Sequence, residues 1–360
     1  MSQNKNILVC PLDWGLGHAA RMVPIINMLN QLGANAIIAA NNGPLEFLKQ
    51  CFPDIPTIKF DGFSPQYPSN GNMAMAMIKS LPKMFRKANR AQNELQRIIE
   101  KHNIDAVISD NRYELYTSKV PCIFVTHQLN IQTSGWQSLA KPFINIMLSH
   151  YLNKFSEIWI PDVMSKFRLS GKLSQSNNFK DKLFNVGLLS RFSNSHVKNY
   201  QQTIDLLIIL SGPEPQRTIL EKMLLSQAHA TKLKTVMLLA KPGAQIDMVI
   251  KNTKLISHVQ DNEFAKLIQS AKTIVSRPGY TTLMDLSVFN KKAIFIPTPG
   301  QTEQEYLSKR LLNNGIAYSQ TQRDFVLKEA LLKQDQYKGL FLKNEPELLK
   351  SRIKNLLNIC

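Results

Sequence analysis

Cysteine is scarce in this chain, and what there is lies scattered. Cys10, Cys51, Cys122 and Cys360 never fall into a CxxC spacing, so neither a zinc site nor a disulfide framework is indicated. Asp and His do not cluster at metal-ligand spacing either, and no metal is expected. Apolar runs long enough to span a bilayer are lacking, and the opening MSQNKNILVCPLDWGLGH has too brief an apolar segment for a signal peptide. The expectation is a cytoplasmic protein. Helix-turn-helix spacing, zinc fingers and RNP-type aromatic motifs are missing, which argues against nucleic acid as a partner. There is no internal repeat and no low-complexity tract. Acidic residues are also in short supply: 26 Asp and Glu face 44 Lys and Arg, a net charge of +18 that favours an anionic partner.

What is present is enough for two ordinary domains, with 360 residues of which 44% are hydrophobic. Asn6–Cys10 reads as a strand, Pro11–His18 as a glycine-bearing turn, Arg21–Leu32 as an apolar-periodic helix and Ala36–Ala40 as a second strand closed by an Asn41-Asn42-Gly43 turn. This βαβ start is Rossmann-like, although DWGLGH lacks the full GxGxxG spacing. Asp105–Asp110 and Cys122–Thr126 are strands that end in polar loops. Ser170–Lys182 reads as a polar surface loop, Phe184–Val186 as a strand and Arg191–Gln202 as a linker. In the second half, Ile204–Leu210, Thr235–Ala240, Leu255–Val259, Thr273–Ser276 and Lys292–Pro297 are strands, and Pro346–Asn358 is a closing helix.

The most informative stretch is Ala271–Leu307. Arg277-Pro278-Gly279 forms a tight turn after a buried strand, and Thr281 or Thr282 is placed to cap the helix that follows. The strand ending at Pro297 opens into the loop Thr298–Gln301, with Thr302-Glu303-Gln304 at the start of another helix. Two strand-to-helix turns therefore share the carboxyl edge of one sheet, where open α/β folds bind ligands. Helix-start N–H groups suit a phosphate, while Asp285, Glu303 and Gln304 can accept from hydroxyls.

This stretch resembles the donor-site signature of the family 28 glycosyltransferases, the MurG-like enzymes. The matching features are the turn at Gly279, an acidic residue six positions later at Asp285, the Pro297-ended strand and the pair Gln304-Glu305. Asp285 stands where the family has Glu, and Glu305 where it has Gln. The resemblance implies the α/β GT-B fold, two Rossmann-like parallel-sheet domains facing each other across a cleft. Residues 1–190 would be the acceptor-side domain, 191–345 the nucleotide-sugar domain and 346–360 a helix packing back on the first.

It also implies roles. Asp285 would hold the ribose and Gln304-Glu305 the sugar hydroxyls, with Ser276, Arg277, Gly279, Tyr280, Thr281, Thr302 and Glu303 around the donor. Ser211 and Gly212 would approach its phosphates, Arg191 would grip the diphosphate, and His258 and Val259 would meet the base. Gly15-Leu16-Gly17-His18 resembles the family's GxGGH loop near the acceptor hydroxyl. With Gly15 and Gly17, the acceptor side would comprise Asp110, His127, Gln128 and Asn130.

His18 at a helix start is a candidate general base because imidazole titrates near neutrality; it could also bind by hydrogen bond alone. Asp13 is the second candidate base, with a simpler use as a turn-forming residue. Residues 73–90 interleave methionines with Lys79, Lys83, Arg86, Lys87 and Arg90, a helix suited to an anionic membrane surface or to a core position with a solvated lysine face. Trp136–Tyr151 is a second apolar-rich segment, facing acceptor, membrane or core. The expected activity is metal-independent, inverting transfer of a sugar from a nucleotide-sugar co-substrate such as a UDP-N-acetylhexosamine. A lipid-linked cell-envelope glycan is one candidate acceptor, with peripheral attachment to the inner face of the membrane. The runner-up is a nucleotide-sugar hydrolase of the pseudaminic-acid-pathway type, whose Gly-x-Gly-His loop also carries an arginine three residues on, here Arg21.

Overall fold

A computed structural model describes residues 4–13, 15–61, 73–130, 141–176, 178–193, 200–241 and 243–359, without the side chains of 73–87, 141–145 and 147. The chain forms two units, Met1–Ser193 with Asn344–Cys360, and Asn194–Lys343.

The first unit runs β1 (Asn6–Cys10), α1 (Leu16–Gln31), β2 (Asn35–Ala40), α2 (Asn42–Cys51), β3 (Thr57–Lys59), α3 (Met73–His102), β4 (Ala106–Asp110), β5 (Cys122–Val125), α4 (Lys141–Leu152), β6 (Glu157–Ile160) and β7 (Leu183–Asn185). Its seven strands are ordered β3-β2-β1-β4-β5-β6-β7, and every neighbouring pair is parallel. The central strands read as unbroken apolar runs because both faces are covered: Ile7, Leu8, Val9 and Cys10 are wholly buried. Leu8, Val107, Phe124, Phe155 and Ile158 belong to one continuous core.

The second unit runs β8 (Ile204–Ile209), α5 (Gln216–His229), β9 (Thr235–Leu238), β10 (Asp247–Ile250), β11 (Thr253–Ile256), α6 (Asp261–Ser270), β12 (Ala271–Ser276), α7 (Tyr280–Val288), β13 (Ala293–Phe295), α8 (Thr302–Asn313) and α9 (Leu327–Lys333). Its sheet has the order β10-β11-β9-β8-β12-β13, parallel except for the edge strand β10.

The last helix, α10 (Pro346–Leu357), belongs to the first unit. It buries Leu349, Ile353 and Leu357, and Arg352 lies 3.7 Å over the Phe184 ring while pairing with Glu157. Gly187 lets the returning chain pass. Its φ is +77°, and a Cβ there would stand 2.7 Å from the Glu345 carbonyl oxygen, so no other residue fits.

Each sheet reverses its strand order once beside its first strand, between β1 and β4 in one unit and between β8 and β12 in the other. Such switch points open crevices at the carboxyl ends of the strands.

Three local expectations are corrected. The Asn41-Asn42-Gly43 turn is the start of α2, with Asn41 as its cap accepting from the Asn42 N–H at 2.9 Å. Ser170–Lys182 is not a plain surface loop: Ser170, Leu173, Ser174 and Phe179 are buried, and the Asp162 carboxylate accepts from the N–H groups of Leu169 and Ser170. The cap of α7 is Gly279 with no side-chain hydrogen bond, so neither Thr281 nor Thr282 fills that role.

Candidate functional site

In the first unit, the turn after β1 leads through Gly15, at φ +72°, into α1 with no side-chain cap. His18 therefore sits in the first turn of α1, at the switch point. The adjacent strand β4 ends at Asp110, and the turn after it is locked. Arg112, fully buried, donates from Nε to Glu114 at 2.9 Å and from Nη2 to the Asp61 carbonyl at 3.0 Å, and stacks 4.5 Å over Phe60. His127 follows β5, the next strand out.

These turns meet on Arg21, one helical turn along α1 from His18 and 2% exposed. Its Nε and Nη2 donate to the two Asp110 carboxylate oxygens at 2.6 and 2.5 Å. Nη2 also lies 2.7 Å from His18 Nδ1, and Nη1 lies 3.2 Å from His127 Nδ1. His18 Nδ1 is 3.1 Å from Asp110 Oδ2. A proton on Nδ1 is drawn to that carboxylate and leaves the Nε2 lone pair free. A lone pair on Nδ1 instead takes the Arg21 N–H and puts the proton on Nε2.

Burial, then the Arg21 charge, lowers the His18 pKa below its ordinary value, against the pull of Asp110. For Asp110, burial works to raise the pKa, but Arg21 and His18 outweigh it and hold the carboxyl below its ordinary value. The result is a carboxylate beside a neutral imidazole whose side chain keeps 18% of its surface exposed.

Other residues expected on this side are placed differently. Asp13 is half-buried and accepts the Asn41 N–H at 3.1 Å, a bond that ties the turn after β1 to the start of α2 and is not a local turn. Asn130 is drawn away from the cluster: its amide donates to the carbonyls of Lys172, at 3.1 Å, and Gln175. Gln128 is half-buried, and its N–H is held by Thr126 at 3.0 Å. Gly17 is half-buried in the first turn of α1.

In the second unit, three turns share the carboxyl edge. After β8 come Ser211, half-buried, and Gly212, exposed with φ +101°. After β12 comes Arg277-Pro278-Gly279, and α7 starts from the Gly279 cap, which supplies no side-chain hydrogen bond. After β13 comes the loop into α8, pinned from behind: Gln304 Oε1 accepts the Thr298 N–H and Glu305 Oε1 the Gly300 N–H, each at 2.9 Å. This leaves the Gln304 amide nitrogen as the end able to donate to a ligand. Asp285 is buried on α7, and Thr302 and Glu303 are half-buried in the first turn of α8.

Arg277 departs from expectation. Its side chain is 1% exposed and turned inward, donating to the carbonyls of Ile296, Pro297 and Gln216 and to Gln322. It cannot touch a donor directly. Tyr280 is likewise 3% exposed, Thr281 is half-buried, and Ser276 donates to the Arg277 carbonyl at 3.2 Å. His258 is exposed and Val259 half-buried on the turn after β11, separated from β8 by β9. Arg191 lies in the first unit, stacked 4.8 Å from the Phe192 ring centre and 5.7 Å from that of Phe47. Among the described residues no group of three His, Cys, Asp or Glu could hold a metal ion.

Arg21 was noted in the sequence only for its three-residue spacing from His18 in the runner-up reading, and Arg112 was not placed in the site, having no signal beyond its place after Asp110.

Residues 207–354 match the glycosyltransferase family 28 C-terminal domain. No curated protein matches the sequence. Among solved structures, MurG of Acinetobacter baumannii is similar at 14% identity, with 98% of this chain and 99% of that one covered and a TM-score of 0.57. The glycosyltransferase SnogD from Streptomyces nogalater is similar at 13% identity, covering 99% and 95%, with a TM-score of 0.60. CalG4, the calicheamicin glycosyltransferase, gives 11% identity, 99% and 94%, and 0.63. The fold and the matched domain define a glycosyltransferase of the GT-B type. The match to the family 28 C-terminal domain runs from β8 into α10.

Proposed function

We propose that the chain transfers a sugar from a UDP-linked donor to an acceptor hydroxyl in a single inverting displacement. The observation that carries the donor half is the uncapped start of α7 beside the switch point, inside the matched family 28 domain. The positive end of the helix dipole there suits a diphosphate, and Asp285, Gln304 and Glu305 supply groups for ribose and sugar hydroxyls. On the first unit, His18 in the tautomer with Nδ1–H toward Asp110 offers Nε2 to the acceptor proton, and the carboxylate stabilises the imidazolium that forms. As proposed, leaving-group charge is met by main-chain dipoles and needs no metal ion. The acceptor we favour is a lipid-linked cell-envelope glycan, reached through the basic, methionine-rich start of α3 at an anionic bilayer. The helix spans Met73–His102, while the side chains of 73–87 lie outside the described residues, as does much of the Trp136–Tyr151 segment.

Thermal unfolding against UDP-, GDP-, dTDP- and CMP-sugars and the free nucleotides tests the donor. A ligand held by the native state alone raises the midpoint by mass action. A rise confined to UDP compounds is expected; no rise with any nucleotide would remove the reading. Release of free sugar without an added acceptor would instead make water the acceptor.

A further inference from the structure

A guanidinium buried without a carboxylate is costly, and Arg277 is in that position. Its hydrogen bonds go to three main-chain carbonyls and one side-chain amide, at 3.0 Å to Ile296, 2.9 Å to Pro297, 3.3 Å to Gln216 and 2.5 Å to Gln322 Oε1. Its Nε is buried with no partner, and among the described residues it forms no ion pair with a carboxylate. Neutral donors could hold carbonyls without the desolvation penalty of an uncompensated charge, so packing alone does not explain a cation here. Burial pulls its pKa down to about 10, which still leaves it charged at neutral pH.

The bonds have a pattern. Arg277 sits in the turn after β12; Ile296 and Pro297 follow β13; Gln216 opens α5 after β8. One cation therefore ties together all three turns of the candidate donor edge. Thr298, next to the Pro297 carbonyl it grips, has a buried hydroxyl that is also without a partner, and a Cβ on Gly212 would stand only 3.4 Å from it. Arg277 Nε and the Thr298 hydroxyl are thus two buried polar atoms without a partner on one sheet edge.

We infer that Arg277 is a positioning residue and the buried counter-charge for an anionic diphosphate bound over these three turns. It acts through the turns it holds and through the field of its charge, without touching the ligand. The inference rests on the reading of this edge as a nucleotide-sugar site, and it assigns the affinity for the phosphates to a residue behind the surface.

The test compares wild type with Arg277→Lys, Arg277→Gln and Arg277→Met, measuring affinities for UDP, uridine and inorganic pyrophosphate by calorimetry, with circular dichroism confirming the fold. Uridine carries no charge, so it reports the shape of the site, and UDP reports shape plus charge. Arg277→Gln and Arg277→Met should weaken UDP roughly tenfold or more while changing uridine little, and should abolish pyrophosphate binding. Arg277→Lys should keep the preference for UDP at low pH and lose it as pH rises, because a buried lysine surrenders its proton where wild-type arginine does not. Equal weakening of UDP and uridine in all variants, with no pH dependence in Arg277→Lys, would leave Arg277 a structural clamp and overturn the inference while sparing the donor reading. Wild type that binds none of the three probes would overturn both. If the Gln and Met variants fail to fold, the pH profile of Arg277→Lys decides alone.

Discussion

At the scale of residues, His18 is held neutral by burial and by the Arg21 charge, and the sign of its pH response follows. Its pKa is lowered from 6.5, so the ring stays unprotonated through neutrality and gains a proton only at lower pH. In the proposed reaction the neutral ring is the base, so kcat/KM should be flat at neutral pH and fall on the acid side, below 6.5. Arg21→Met removes a charge that lowers the ring pKa and leaves Asp110 to raise it, so the acid limb should move to higher pH. A limb that stays put in that variant would remove His18 from the profile. His18→Ala should cut kcat by about 10²–10⁴-fold with UDP affinity unchanged, measured by steady-state kinetics and calorimetry. Asp110→Asn leaves the Arg21 charge buried without its carboxylate and should cost about 3–5 kcal/mol in denaturant unfolding as well as activity. His18 was legible because a glycine-flanked histidine at a helix start is a local pattern. Its tie to Asp110 and that of Arg21 to His127 were not, since contacts across 92 and 106 residues are set by strand order. The inward turn of Arg277 was hidden for a related reason: nothing in a Ser-Arg-Pro-Gly turn says which way the arginine faces.

At the scale of elements, the central strands were legible because buried parallel strands are short, β-branched and bounded by breakers. Asn6–Cys10 was read to the residue, and Asp105–Asp110 and Ile204–Leu210 to within one. The edge strands β3 and β10 were missed: β3 has three residues, and β10 is exposed along its whole length, so neither shows a burial pattern. The start of α2 was taken for a turn because Asn-Asn-Gly favours both, and Asn42 does adopt a left-handed φ of 48° before the helix continues. Gly187 gives the clearest test at this scale. Its left-handed φ and the carbonyl 2.7 Å from an added Cβ combine strain with a backbone clash, and backbone cannot move aside as a flexible side chain can. Gly187→Ala should lose about 2–4 kcal/mol, read as a lowered unfolding midpoint. A neutral result would mean that the crossing at Glu345 is looser than described.

At the scale of the whole molecule, the surplus of positive charge bears on where the enzyme works. A net charge of +18 steers the protein toward anions without choosing among them, and the second unit could use only part of it on a donor. Between Lys79 and Arg90 five cations fall within twelve residues of α3, among Met73, Met75, Met77, Ile78, Leu81, Met84 and Phe85. An interfacial helix of that composition gains about 1 kcal/mol per cation near an anionic leaflet, and the gain decays within a Debye length of about 10 Å at 0.1 M salt. Vesicles of phosphatidylglycerol should therefore sediment with the protein at low ionic strength, neutral phosphatidylcholine vesicles should not, and added salt should release it. Replacing Lys79, Lys83, Arg86, Lys87 and Arg90 by Gln should abolish sedimentation and leave the UDP-induced rise in unfolding midpoint intact, since the donor turns lie on the other unit. If the quintuple variant still sediments, the attraction belongs to charge spread over the whole surface and the α3 reading falls. If neutral vesicles bind equally well, the apolar residues carry the attachment and the charge is incidental to it.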